Sequence, residues 1–349
     1  MSVQGEAAEP PGWPGVAGPV AVRTPATSAN LGPGFDAFGL ALGLHDEVEA
    51  RVVASGLRIE VRGVGEDTAT LGERHLVVRA MRAMFGAIGE QPPGLELRCE
   101  NEIPHGFGLG SSAAAIVAGM LAARALAGER GAALPDRDVL RLAADFEGHA
   151  DNVAACLSGG LTIAWSDEGG SAVAVGAGVP AGPVQFVRLE PLPGLTPVLC
   201  VPSVPLSTQV ARQVLPAVVP HADAARNAAR AALLIAALTG IRVAGAGRDA
   251  GAGAGVERAE LLLDATRDFL HQPYRAASMP DSAALITALR ERGIPAVVSG
   301  AGPAVLALLV AGAKASSAEI STIAGSSGKA WDIRALEIDR SGATVQFRS

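Results

Sequence analysis

Apolar residues in the first half of the chain alternate with polar ones in short runs, and between those runs they recur at spacings of three and four. The alternating runs, each bounded by turn residues, predict strands over residues 20–24, 47–54, 57–62, 95–99 and 161–165. The longer spacings predict helices over 76–88 and 111–126, and a third after Pro135. There Asp136 reads as the N-cap, and Val139, Leu142, Ala143 and Phe146 follow at helical spacing. The pattern changes around Leu192, Pro193, Gly194 and Pro197. Beyond that point helices are predicted over 223–238, 256–270 and 282–292, and strands over 295–299, 304–310, 332–338 and 344–347. Hairpins and helices mixed in this way, without a strict βαβ series, read as α+β. The expected organisation is a disordered tail over 1–19, one α+β unit over 20–195, and a second over 196–349 with helices on one sheet face. Residues 245–255, nearly all Gly and Ala, read as a low-complexity loop in the second unit.

Composition narrows the function classes. The chain has 349 residues, 49% of them hydrophobic, enough for two cores without staples. Cys99, Cys156 and Cys200 stand far apart with no C-x-x-C spacing, which favours a reducing cytoplasm over a disulfide framework or a zinc site. A formal charge of −7 with 3% aromatic residues argues against a nucleic-acid surface. No secretory signal is expected at the start, and the most apolar later stretch, residues 228–238, is too short to span a bilayer. Small ligands are the expected partners.

Four segments carry candidate chemistry. Gly106, Phe107, Gly108, Leu109, Gly110, Ser111 and Ser112 run straight into an alanine-rich helix. Glycines let backbone N–H groups approach an anion, and the first helical turn adds unpaired donors and the positive end of the dipole. The lysine of a G-x-x-x-x-G-K-[ST] loop is missing, so a phosphate held here needs its positive charge from elsewhere, most economically a divalent cation. A plain glycine turn before a core helix fits the same letters.

The second segment, Thr27 to Asp36, places Asn30 and Asp36 in a glycine-proline turn. An amide and a carboxylate there suit a polar ligand, with Asp36 matched to an ammonium group, although an Asx-turn capping itself is the structural alternative. The third is Glu147, Gly148, His149, Ala150, Asp151 and Asn152, expected at a helix exit. Glu147 can complete a magnesium site with Ser112, because this ion takes one or two protein oxygens and otherwise phosphate and water. Asp151 can accept or orient a hydroxyl proton, and Asn152 can bond the same oxygen. A satisfied C-cap cluster is the competing reading. The fourth, Ser299 to Pro303, is by itself a tight turn between strands.

Taken in order, the S-A-N-L-G-P-G-F-D, P-x-x-x-G-L-G-S-S, E-G-H-x-D-N and S-G-A-G-P segments resemble the GHMP kinase superfamily. Within it, residues 27–36 and 147–152 resemble the homoserine kinases rather than the mevalonate, galactose or diphosphocytidyl-methylerythritol kinases. The resemblance covers about residues 20–347. It implies a two-domain GHMP kinase fold, with an N-terminal domain like domain 2 of ribosomal protein S5 and a ferredoxin-like C-terminal domain. It further implies ATP as phosphoryl donor and Mg2+ as the metal, with L-homoserine as acceptor in threonine biosynthesis. Pro104, His105, Gly106, Phe107, Gly108, Leu109, Gly110, Ser111 and Ser112 would then surround the ATP phosphates, with Ser112 and Glu147 on the metal. Asn30, Asp36, His149, Asn152, Arg212 and Arg275 would face the amino acid. Asn152 is assigned to orienting the hydroxyl; Asp151 lies where other members of the superfamily use an aspartate, whereas homoserine kinases are thought to manage without a dedicated base. A homodimer is compatible with this reading. Another small hydroxyl acceptor, or a non-catalytic ligand-binding module on the same fold, are the alternatives. The sequence departs from the family at His75, where relatives often have asparagine near the adenine, at Phe107, often polar or basic, and at Ala304, often threonine.

Overall fold

The computed structural model describes residues 13–16, 18–166, 184–240, 253–313 and 315–348. Most of the tail expected over 1–19, the 245–252 part of the expected Gly/Ala loop, and Lys314 lie outside the described residues. The chain begins with strands β1 (Val20–Ala29), β2 (Phe38–Val53), β3 (Gly56–Gly63) and β4 (Gly94–Asn101), with helix α1 (Leu76–Ile88) between the last two. Helices α2 (Ser111–Leu126), α3 (Glu129–Ala132), α4 (Asp136–Glu147) and α5 (Asp151–Ser158) follow, then β5 (Leu161–Ser166) and β6 (Val184–Leu189). The second half holds β7 (Leu195–Pro202), α6 (Thr208–Gln213), α7 (His221–Thr239), α8 (Gly253–Ala265), α9 (Gln272–Arg275) and α10 (Pro280–Glu291). It closes with β8 (Ala296–Val298), β9 (Val305–Val310), α11 (Ser317–Ser326), β10 (Trp331–Ala335) and β11 (Thr344–Phe347).

The first sheet has the order β11-β1-β2-β4-β3, with β5 and β6 added beside the start of β2. Strand β2 carries β5 along its first residues and β4 along its last, so one long strand splits the sheet into two wings. From Leu42 onward its inward positions, among them Leu44, Val48, Ala50 and Val52, alternate with half-buried ones, the period of a strand with one covered face. Strands β3 and β4 run parallel, joined through α1; the other ladders are antiparallel. Helix α2 is apolar around most of its surface and buries Ile116, Val117, Met120 and Leu126 in the main core. At Gly119 a Cβ would stand 2.5 Å from the Val77 carbonyl oxygen, so glycine is what lets α2 and α1 approach this closely.

The second sheet is antiparallel with order β10-β7-β9-β8. Taken in chain order these strands lie fourth, first, third, second, with helices between the first pair and α11 between the last. That is the ferredoxin-like βαββαβ plan. Its own core joins Val198, Cys200, Leu285, Leu289, Val305 and Ile320.

Several elements differ from the sequence expectation. Strand β1 runs to Ala29, so Thr27, Ser28 and Ala29 belong to the strand end and not to the turn after it, and β2 starts at Phe38 rather than near residue 47. Asp136 is the first residue of α4 and Pro135 its N-cap; the Asp136 carboxylate accepts from Arg124 instead of capping the helix. Glu147 closes α4, but Asp151 and Asn152 open a new helix, α5. Helix α8 stops at Ala265, short of residue 270, because the Asp268 carboxylate turns the backbone by accepting from Leu270, His271 and Gln272 N–H groups. Strand β11, expected with the second unit, pairs with β1 in the first sheet, in register from Val20↔Phe347 to Arg23↔Thr344. Among the described residues no helix is long and apolar enough to cross a membrane.

Candidate active site

A cleft between the two units gathers all four sequence segments. Its lining includes Asn30 and Asp36, Gly106 and Gly108 to Ser112, Glu147, His149, Asp151 and Asn152, Thr208 and Arg212, Arg275, and Gly300 with Ala301. Pro104, His105 and Phe107 lie outside it. The His105 ring lines an adjacent cavity of about 250 Å³, together with His75, Asn101 and the helix residues Ala114 and Ala118. Ser111 and Ser112 line both spaces, so the start of α2 is their common wall.

The glycine loop owes its path to close backbone packing. Gly106, Gly108 and Gly110 all have positive φ. A Cβ at Gly108 would stand 2.1 Å from the Ser299 carbonyl oxygen, and one at Gly110 would stand 1.9 Å from Thr27 Oγ1. Hydrogen bonds bind the loop to both units. Thr27 N–H donates to Leu109 O at 3.0 Å, Ser299 Oγ to Gly108 O at 2.8 Å, and Ala304 N–H to Phe107 O at 3.2 Å. The loop's remaining N–H groups and the first turn of α2 form the kind of donor array that binds anions.

Next to this array Ser112 Oγ donates to Glu147 Oε2 at 2.6 Å. Burial raises the Glu147 carboxyl above its ordinary range, against the pull of His149 and Ser112. His149 Nδ1 meets Asp151 Oδ1 at 2.9 Å, with its Nε2 3.7 Å from Glu147. Burial opposes the imidazolium, but the Asp151 charge and hydrogen bond, then Glu147, lift the His149 pKa to about 9. For Asp151 burial alone would raise the carboxyl; the His149 imidazolium and the Asn152 backbone N–H, at 2.7 Å, hold it below the usual range. Asp151 is therefore an anion with little basicity. Asn152 receives the Thr27 hydroxyl on Oδ1 at 2.8 Å and leans its Nδ2 on Asp151 at 3.3 Å.

The turn after β1 is held by its own amide. Asn30 Nδ2 donates to Gly300 O at 2.8 Å, and its Oδ1 accepts from Asp36 N–H at 2.8 Å. Asn30, Leu31 and Asp36 all adopt positive φ, a strain that this side chain braces. Asp36 in turn is gripped by Arg212, whose Nη1 and Nη2 reach Oδ2 and Oδ1 at 3.1 and 2.9 Å. Arg275 is 1% exposed. It donates from Nε to Ala211 O at 3.0 Å, and from Nη1 to His271 Nδ1 at 3.1 Å and Gly300 O at 3.3 Å. Burial, then Arg212, lowers its pKa to about 10, which leaves it charged at neutral pH. His271 receives Arg275 on Nδ1 and so carries its proton on Nε2, which donates to Gly32 O at 2.8 Å. Burial favours this neutral ring by lowering its pKa. Phe35 stacks on it with centroids 5.1 Å apart.

Three contributors escaped the sequence reading of roles. Thr27 positions Asn152, Ser299 holds the glycine loop, and His271 seats Arg275. The i,i+4 spacing of His271 and Arg275 was the visible signal for the last.

Comparison with known proteins shows the family of the chain. Residues 75–160 match the model of the GHMP kinases N terminal domain, and residues 249–320 that of the GHMP kinases C terminal region. Homoserine kinase from Streptomyces coelicolor is 50% identical over 327 residues, 93% of this chain and 94% of that protein. The chain belongs to the homoserine kinase family. Homoserine kinase from Clavibacter michiganensis is 46% identical over 94% of each chain. The crystal structure of homoserine kinase from Cytophaga hutchinsonii superposes with a TM-score of 0.72 at 25% identity, covering 94% of this chain and 97% of that one. This homoserine kinase family member thus has the two-domain GHMP kinase fold expected from its motifs.

Proposed function

We infer that the protein transfers the γ-phosphoryl group of ATP to the side-chain hydroxyl of L-homoserine, giving O-phospho-L-homoserine for threonine biosynthesis. One observation carries the reading: in a homoserine kinase family member, an anion-binding glycine loop and a set of charges suited to an amino acid line one cleft. The ATP phosphates lie along Gly106 to Ser112, and the base enters the adjacent cavity beyond Ser111 and Ser112. Asp36 takes the ammonium group, and Arg212 with Arg275 takes the carboxylate. No described residue takes Arg275 Nη2, which leaves that amino group to the ligand.

Ser112 and Glu147 present two hard oxygens 2.6 Å apart, a donor set that fits Mg2+ with phosphate and water completing its shell. When bound there, the ion neutralises charge on the phosphates. The rest falls to side chains. Phosphoryl transfer passes through a loose transition state, so orientation counts for more than a strong base. Asp151, held as an anion by His149, is a poor proton acceptor; it keeps His149 charged and fixes Asn152 through its backbone N–H. The Asn152 amide, locked by Thr27, orients the acceptor hydroxyl, and His149 faces the amino acid beside it. A homodimer is compatible with this mechanism. Three free, buried cysteines suit the cytoplasm, where this biosynthetic reaction belongs.

ADP release measured with Mg2+ and ATP across L-homoserine, mevalonate, galactose and shikimate tests the reading. Turnover should require L-homoserine. Preference for another acceptor, or ATP binding without transfer to any, overturns it.

A further inference from the structure

Asp36 and Arg212 are assigned to opposite ends of the same ligand, yet in the structure they hold each other. Both oxygens of one carboxylate meet both terminal nitrogens of one guanidinium, and the side chains are only 16% and 24% exposed. Each group stands on a short, separately tethered segment. Asp36 ends a turn braced by Asn30. Arg212 lies in the last turn of the six-residue α6, whose connection to the body runs through Arg275 Nε–H on Ala211 O and Leu206 N–H on Gly106 O. A ligand whose ammonium takes Asp36 and whose carboxylate takes Arg212 has to part the pair.

We propose that the Asp36–Arg212 pair is a latch that selects zwitterions, since only a ligand carrying both charges replaces both halves of the ion pair it breaks. This rests on the reading of the site as an amino-acid site. A ligand with a carboxylate alone that takes Arg212 strands Asp36 in a cleft that already holds Glu147 and Asp151, and one that spares the pair is left with Arg275 alone. A ligand with an ammonium alone takes Asp36 and strands Arg212 beside Arg275. In each case a half-buried charge loses its partner, and that penalty exceeds what the single new ion pair with the ligand contributes. A ligand with neither charge leaves the pair intact. Discrimination is thus built into the protein's own ion pair: the two charges of the ligand act together and are not additive.

Binding of three ligands to the whole protein, measured by calorimetry, tests this: L-homoserine, 4-hydroxybutyrate (carboxylate alone) and 2-amino-1,4-butanediol (ammonium alone). Asp36→Asn should weaken L-homoserine yet tighten 4-hydroxybutyrate by about tenfold, because Arg212 no longer has to leave a carboxylate. Arg212→Gln should mirror it, weakening L-homoserine and tightening the amino diol by about tenfold. A misfolded variant cannot bind more tightly, so the crossed improvement is specific to the latch. If either variant weakens or leaves unchanged the ligand it should favour, the proposal is overturned. Should neither variant fold, the wild-type protein decides. Butane-1,4-diol, with no charge, should bind at least as well as either singly charged ligand, and weaker binding of the diol than of both overturns the latch. L-homoserine that fails to bind at all instead refutes the assignment of the site.

Discussion

Replacing Gly110 by alanine tests the proposed phosphate-binding role of the glycine loop at its tightest point. Gly110 has φ 67, a conformation that costs an L-residue about 1–2 kcal/mol. The added Cβ would also stand 1.9 Å from Thr27 Oγ1 and 3.0 Å from Asn152 Oδ1. Restoring ordinary van der Waals separation requires a shift of about 1.5 Å, taken up by the loop or by Thr27 and Asn152. Either movement displaces a group that positions a reactant, and a misplacement of about 1 Å costs on the order of 100-fold in rate. Gly110→Ala should therefore lower kcat/KM by about 100-fold or more, with a loss of folding stability of only about 2 kcal/mol. Steady-state ADP release and chemical denaturation measure the two. Thr27→Ala removes the 1.9 Å clash, so the double variant should lose less than the sum of the single losses, by about 1 kcal/mol in transition-state stabilisation. Wild-type turnover in Gly110→Ala, or strict additivity with Thr27→Ala, refutes the argument.

Burial pushes the Asp46 carboxyl up to about 6, against the Ile103 and Glu102 N–H groups that its Oδ1 accepts. A raised carboxyl pKa means the folded state holds the proton longer, so this group's stabilisation is present below about pH 4 and is lost as pH rises through 6. Asp46→Asn should accordingly be more stable than wild type at pH 8 by on the order of 2 kcal/mol, with the difference vanishing at about pH 4 in denaturation curves. Arg275→Ala takes the Arg275 donor from Ala211 O and His271 Nδ1 and leaves Gly300 O with Asn30 Nδ2 alone. It should cost about 3 kcal/mol in stability and raise KM for the amino acid at least about tenfold; an unchanged KM counts against the proposed pose. Glu147→Ala should reduce turnover by on the order of 100-fold while sparing binding of L-homoserine, and full turnover at ordinary magnesium concentration would refute the proposed metal role of Glu147.

The four motifs were legible because each concentrates polar or glycine residues where regular structure stops, as at Asn30 to Asp36 and Gly106 to Ser112. The helices over α1, α2 and α4 were legible from their period. Strand β7 was not: Pro197 and Pro202 punctuate it, and Val198 to Val201 are all buried, so no alternation marks it as a strand. Nor was the start of α5, because Asp151 and Asn152 read equally well as the end of one helix or the beginning of the next. The Asp36–Arg212 pair lies 176 residues apart in sequence. No local pattern carries such a pairing; charge complementarity suggested two separate partners for a ligand, and only the fold places them on each other.

The return of β11 to the first sheet bears on how the protein is made. Strand β1 delivers Thr27 and Asn30 to the cleft, but its outer edge is covered by residues about 300 positions downstream. Synthesis must therefore run through the second unit before the first sheet is closed. During that interval β1 presents an open row of backbone donors and acceptors, the surface on which unfinished chains join one another. Strand β11 thus acts as a seal applied only after the second unit has been made. Truncations that spare every residue in the cleft should still yield protein that associates, with solubility failing before chemistry.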